Sequence, residues 1–152
     1  MVMDRLKLKQ KILDACFEQQ AKVRDNLKVV MEEVADSAEE YGLPKDLYDS
    51  YRNQMMSKRD MFAQQLLKIN EQVDILRRID MTRTYHQIRF GAVVITESQR
   101  LFVAAGIGKI VVEGEEYFVI SAMVPFYNAI DGKKAGETYE FRGKKEKILD
   151  VF

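Results

Sequence analysis

The chain has 152 residues, 47% of them hydrophobic and 32% charged, with 24 Lys and Arg balanced by 24 Asp and Glu. That length holds one ordinary domain, or a small domain with a helical extension, and zero formal charge excludes a strongly basic nucleic-acid binder. A single cysteine, Cys16, and a single histidine, His86, exclude a disulfide framework and a Cys-rich zinc site and argue against a histidine metal centre.

The chain opens Met1-Val2-Met3-Asp4-Arg5-Leu6-Lys7, too polar for a signal-peptide core. No stretch approaches the ~18–20 uncharged apolar residues that a membrane span needs. A soluble, cytoplasmic protein is expected. Residues 1–80 contain one glycine, Gly42, whereas residues 81–152 contain the other seven. Glycine costs stability inside helices and serves turns, so helix is expected first, then strands and turns.

Leu6, Leu13, Cys16, Val23, Leu27, Val30 and Val34 follow an alternating three-and-four spacing, interrupted by Lys9 and Gln20. Further on, Met55, Phe62, Ile69 and Leu76 recur every seven residues, with Leu66 and Val73 between them and Arg52 and Arg59 interrupting. A 3.5-residue repeat is the signature of a coiled coil. Tyr41-Gly42-Leu43-Pro44 separates the two seams. Gly42 suits a helix end and Pro44 the first turn of the next helix. So short a loop predicts an antiparallel hairpin over residues 1–80, with arms ~50 Å long.

Residues 81–152 predict a small α+β domain. Strands are expected over 88–96, 100–105, 109–112 and 117–121, with a turn at Glu113-Gly114-Glu115-Glu116. A short helix over 125–130, closed by Asp131-Gly132, precedes a final hairpin of 138–142 and 146–152 turning at Gly143.

The hairpin's tip, near residues 36–49, carries the most distinctive chemistry. Glu32, Glu33, Asp36, Glu39 and Glu40 come without an intervening base, and Asp46 and Asp49 follow the turn. Clustered carboxylates can hold a hard cation such as Mg²⁺, or form a solvated helix end. Asp46 and Asp49 suit the helix dipole, but acids ending the first helix oppose it. Cys16 reads as a buried hydrophobe and His86 as a surface or junction residue. Gly106-Ile107-Gly108-Lys109 lacks the spacing and the Ser or Thr of a phosphate loop. Lys133, Lys134, Lys144, Lys145 and Lys147 make the C-terminal region mildly basic, a soluble surface or a docking patch.

A long helical hairpin with an acidic tip, followed by a small α+β domain, resembles the bacterial Gre transcript-cleavage factors. The most specific stretch is Ile120-Ser121-Ala122-Met123-Val124-Pro125-Phe126-Tyr127-Asn128-Ala129-Ile130-Asp131-Gly132-Lys133-Lys134-Ala135-Gly136-Glu137. It is similar to that family's Ser-Pro pair, short helix ending in Ala-Leu, Gly-Lys, and Gly-Asp or Gly-Glu, with Val124 where Ser is usual. Lys147-Ile148-Leu149-Asp150-Val151-Phe152 resembles the family's closing strand.

The resemblance implies an FKBP-like C-terminal domain docked at the rim of the RNA polymerase secondary channel. Its candidate partner-binding residues are Pro125, Phe126, Tyr127, Lys133 and Lys134. The hairpin would carry tip carboxylates to the active centre, where they help hold the second Mg²⁺ while the polymerase hydrolyses backtracked RNA. The implied factor is a monomer, has no enzymatic activity or cofactor of its own, and meets nucleic acid only through the elongation complex. The family tip reads Gly-Asp-Leu-Ser-Glu-Asn-Ala-Glu-Tyr. Here it is Gly42-Leu43-Pro44-Lys45-Asp46-Leu47-Tyr48-Asp49-Ser50-Tyr51. Asp46 and Asp49 fall close to the two Glu positions, and Leu43 replaces the Asp. Asp46, Asp49, Glu40 and Glu39 are therefore the candidate tip carboxylates, with Asp46 and Glu40 as the metal pair within the complex. The altered tip also fits a protein that occupies the channel without promoting cleavage.

Two rivals remain. The FKBP-like fold hosts prolyl isomerases, which need an aromatic pocket that Phe102, Tyr117, Phe118, Phe126, Tyr127, Tyr139 and Phe141 could line. A self-associating adaptor would use the hairpin as its interface.

Overall fold

The computed structural model describes the backbone of residues 2–40 and 45–152 and the side chains of residues 3–33 and 49–152. Helix α1 spans Val2–Glu40 and α2 spans Lys45–Arg77. Neither contains glycine or proline, so nothing in either run interrupts the helical ladder. The expected turn at residues 41–44 lies outside the described residues.

The rest of the chain forms β1 (Val93–Thr96), β2 (Arg100–Ala104), β3 (Gly108–Val112), β4 (Glu115–Ser121), α3 (Pro125–Ile130), β5 (Thr138–Phe141) and β6 (Lys144–Val151). The strands make one six-stranded sheet in the order β3-β4-β2-β1-β6-β5. The β2–β4 pair is parallel and the other four pairs are antiparallel. The class is α+β: two long helices, then a mixed sheet with one short helix.

The described chain divides into two compact units. One comprises Met1–Gln19 with Gln72–Phe152, the other Gln20–Glu71. In the first, both faces of the sheet are covered. Ile12, Leu13 and Cys16 of α1 and Leu76 of α2 pack on one face with Val93, Phe102, Ile110, Tyr117, Val119 and Phe152. On the other face Tyr127 and Ile130 of α3 pack with Ile88, Val94, Leu101, Val103, Tyr139 and Ile148. This explains why β2 reads Leu101-Phe102-Val103-Ala104 without a polar break. Successive side chains of a strand point to opposite faces, and here both faces are dry.

In the second unit, Lys28, Met31 and Glu32 of α1 and Arg59 and Leu66 of α2 border one shallow hollow. Leu27 and Ile69 are buried and Phe62 and Leu66 half-buried, as the heptad spacing requires, whereas Val23 and Val30 are exposed.

Residues 88–96 were expected as one strand, and the ladder occupies only Val93–Thr96. The Ala92 amide donates to the Arg89 carbonyl at 3.0 Å, closing a turn that ends the extended run. Gly91 makes this turn with φ +88° while its amide donates to Val103 O at 2.8 Å. A Cβ there would lie 3.4 Å from Tyr85 Cε2. Gly91→Ala is expected to cost about 1–2 kcal/mol, because an L side chain is strained at positive φ. A shift of the urea midpoint to lower concentration, at unchanged slope, is the readout.

The β3–β4 turn is two residues, not four, since Val112 pairs with Glu115. Glu113 and Gly114 have φ of 53° and 79°, and Arg142 and Gly143 repeat the arrangement between β5 and β6 at 51° and 78°. Two consecutive positive φ values match the twist of the flanking strands. Gly106-Ile107-Gly108-Lys109 runs directly into β3. No helix N-terminus follows it, so it has no phosphate-loop geometry.

Candidate functional site

The candidate tip carboxylates fall near the end of α1 and the start of α2 in the chain. Glu39 and Glu40 end α1, Asp46 falls in the first turn of α2, and Asp49 follows one turn later. Asp49, Glu32 and Glu33 are exposed. The side chains of Asp36, Glu39, Glu40 and Asp46 lie outside the described residues. Among the described residues no group of three or more His, Cys, Asp or Glu converges as a metal site.

The candidate docking residues lie together on α3 and the turn after it. Pro125 occupies the first turn of α3, where its missing N–H costs nothing. Pro125 is exposed, Phe126 half-buried and Tyr127 buried. Tyr127 Oη donates to Asp131 Oδ1 at 2.9 Å. Burial, with that carboxylate adding to it, pushes the phenol up to about 12. Lys133 and Lys134 are held by their backbones. Ile88 N donates to Lys133 O at 2.8 Å, and Lys134 bridges to Gln87. Met123, just before α3, is 91% exposed.

The seven aromatics do not form one pocket. Phe102 and Tyr117 belong to the helix-covered face of the sheet and Tyr127 and Tyr139 to the other, while Phe118 is exposed. Phe126, Tyr139 and Phe141 share a hollow, of about 210 Å³, with Ser98, Gln99, Lys144 and Glu146. The Phe126 ring stands edge-on to Tyr139 (5.7 Å, 87°) and to Phe141 (5.2 Å, 85°).

Glu146 forms the floor of this hollow and is 8% exposed. Tyr139 Oη donates to its Oε2 at 2.6 Å, and Ser98 Oγ donates to Oε1. Thr96 Oγ1 lies 3.4 Å from Oε2 but also 3.2 Å from the Gln99 carbonyl, so its one proton serves both. The Ser98 hydrogen bond, then that of Tyr139, holds the Glu146 carboxyl below the usual range, so it is ionised at neutral pH. Lys144 Nζ approaches Oε1 at 3.4 Å from an exposed stem. Sequence reasoning passed over Glu146. The signal was its place on the inward stripe of β6, two residues before Ile148 and flanked by the outward Lys145 and Lys147.

A second buried charge is Lys9, with no exposed surface. Its Nζ donates to Arg83 O at 3.2 Å and lies 4.6 Å from the Tyr85 ring centre. Burial pushes the ammonium down to about 8, opposed by the Asp80 carboxylate. Cys16 is fully buried and its thiol is pushed up to about 12 by that burial, so it stays protonated and unreactive. His86 is exposed.

The fold defines an α+β protein in which a pair of long helices precedes a mixed-sheet domain. No family model matches the chain, and no curated protein matches it. Solved structures of Gfh1 are similar to it. A structure of the transcription factor Gfh1 is 16% identical, with a TM-score of 0.35, covering 90% of this chain and 93% of its own. Gfh1 of Thermus aquaticus is 19% identical (TM-score 0.34, 91% of this chain and 94% of its own). The GreA factor homolog 1 (Gfh1) of Thermus thermophilus is 18% identical (TM-score 0.33, 97% and 94%). Among the described residues no helix is long and apolar enough to cross a membrane.

Proposed function

We propose that this chain is an RNA polymerase-binding regulator of transcription elongation. The observation that carries the reading is a coincidence of sequence and fold. The stretch 120–137, which resembles the Gre factors, occupies the end of β4, α3 and the turn before β5, and two helices of 39 and 33 residues precede that domain. In this reading the sheet domain docks through the surface around Pro125, and the helical pair brings its tip to the polymerase active centre by the secondary channel. The chain is not an enzyme alone. The Mg²⁺ is the polymerase's, and the chain's contribution is Asp46 with Glu40, Glu39 or Asp49 as its partner carboxylate.

Leu43 in place of the family's Asp favours a second reading, occupation of the channel without cleavage, since a metal clamp loses strength with each carboxylate removed. RNA cleavage in stalled, backtracked elongation complexes at fixed Mg²⁺ separates the two. Faster release of short 3′ fragments identifies a cleavage factor, whereas slowed nucleotide addition identifies an occupant. Absence of both, with no binding, rejects the polymerase reading. Asp46→Ala is expected to keep polymerase affinity within about twofold while changing the active-centre effect, because in this reading docking rests on the surface around Pro125. A large affinity loss in that variant would place Asp46 in the docking surface instead.

A further inference from the structure

We propose that the hollow formed by α3, β5, β6 and the β1–β2 turn is a seat for one arginine side chain presented by a protein partner. The proposal concerns the chemistry of the seat and does not depend on the partner being a polymerase.

Size comes first. At about 210 Å³ the hollow falls below the ~300–1,000 Å³ typical of small-molecule sites, so it admits a side chain rather than a cofactor. Its walls are aromatic. Because Phe126 meets both Tyr139 and Phe141 edge-on, the rings form a corner rather than a stack. Ring faces attract cations through their quadrupole.

The floor supplies the charge. Glu146 is ionised, and a carboxylate offers about four acceptor positions. Tyr139 fills one on Oε2 and Ser98 one on Oε1, while Thr96 shares its single proton with Gln99. On Oε1 the remaining position meets only Lys144 Nζ, at 3.4 Å and with a 73% exposed side chain. That is a loose, exchangeable pairing. The chain's own cations already gather here, since Arg142 Cζ lies 5.1 Å from the Phe141 ring centre. An incoming guanidinium answers both features at once. It is planar, stacks on rings and donates from a fixed fork. Lysine offers a point charge without the stacking plane. Free arginine would bring an α-carboxylate toward Glu146, so the seat suits a residue within a peptide.

The test is a titration of the whole chain with N-acetyl-L-argininamide, followed by NMR at the ring protons of Phe126, Tyr139 and Phe141. The expected result is a saturable shift in the millimolar range that the neutral isostere N-acetyl-L-citrullinamide does not produce. Glu146→Gln should weaken binding by about tenfold or more, the loss of one charge-assisted bond. Lys144→Ala should tighten it by about two- to fivefold, since the internal competitor is gone. Should Glu146→Gln fail to fold, Phe141→Ala on the edge strand replaces it and should also weaken binding. Equal shifts with citrulline, binding unchanged in these variants, or no saturable shift at all would overturn the proposal. Tighter binding of free L-arginine than of the capped form would overturn it too, in favour of a metabolite.

Discussion

Phe102→Ala is expected to lower the unfolding free energy by about 3–5 kcal/mol, the range for removing a fully buried aromatic ring. Phe102 has no exposed surface and lies on β2, opposite Val93 on β1 and Val119 on β4. Hydrogen-bonded strands on both sides hold the backbone, so the site cannot collapse onto the cavity. Phe118, on the neighbouring β4, is 37% exposed, and Phe118→Ala should cost less than about 1 kcal/mol. The chain has no tryptophan and seven tyrosines, so urea unfolding followed by tyrosine fluorescence is the measurement. Similar losses for the two variants would mean that β2 is not the centre of the core.

Lys9→Met is expected to act in the opposite direction. A buried ion is commonly less stable than an apolar side chain of the same shape. The folded-state pKa is near 8, below the ordinary 10.5. Below about pH 7 both folded and unfolded chains hold the proton, and the burial penalty is constant. Between 8 and 10.5 the unfolded chain still binds a proton that the folded chain has released, so the stability of the natural sequence rises with pH across this window. The full shift corresponds to about 3 kcal/mol, and residual solvation of the ammonium brings the expected gain for Lys9→Met at pH 7 to about 1–3 kcal/mol. The variant should also lose the rise between pH 8 and 10.5, apart from what other groups contribute. Denaturation at pH 7 and 9.5 checks both. A variant less stable than the natural chain at pH 7 would show that the bond to Arg83 O and the Tyr85 contact outweigh desolvation.

These two residues also mark how far the sequence could be read. Phe102 belongs to the largely apolar run 100–105 that reads as a strand, and the structure places it in the core rather than in an aromatic pocket. Lys9 was one of two interruptions of the first seam, and nothing local shows that Arg83, Tyr85 and Asp80, more than 70 residues away, come to surround it. The exposed Val23 and Val30 make the same point in reverse, because both fit the heptad and neither is buried.

The candidate sites divide along the same line. The acidic run of residues 32–49 could be named from composition alone, since clustered charge needs no fold, and the stretch 120–137 because its residues are contiguous. The Glu146 hollow could not, since it draws on residues 96, 98, 99, 126, 139, 141, 144 and 146, which only strand pairing brings together.

Helix content and the glycine-bearing turns at 113–114 and 142–143 follow from backbone preferences within a few residues, which the chain carries wherever it is placed, whereas the break at Gly91 also involves its bond to Val103 O. Which charges lose their water is different. Desolvation depends on what packs against a side chain from elsewhere in the chain, so the buried ammonium of Lys9 and the carboxylate floor of Glu146 are decisions of the tertiary structure.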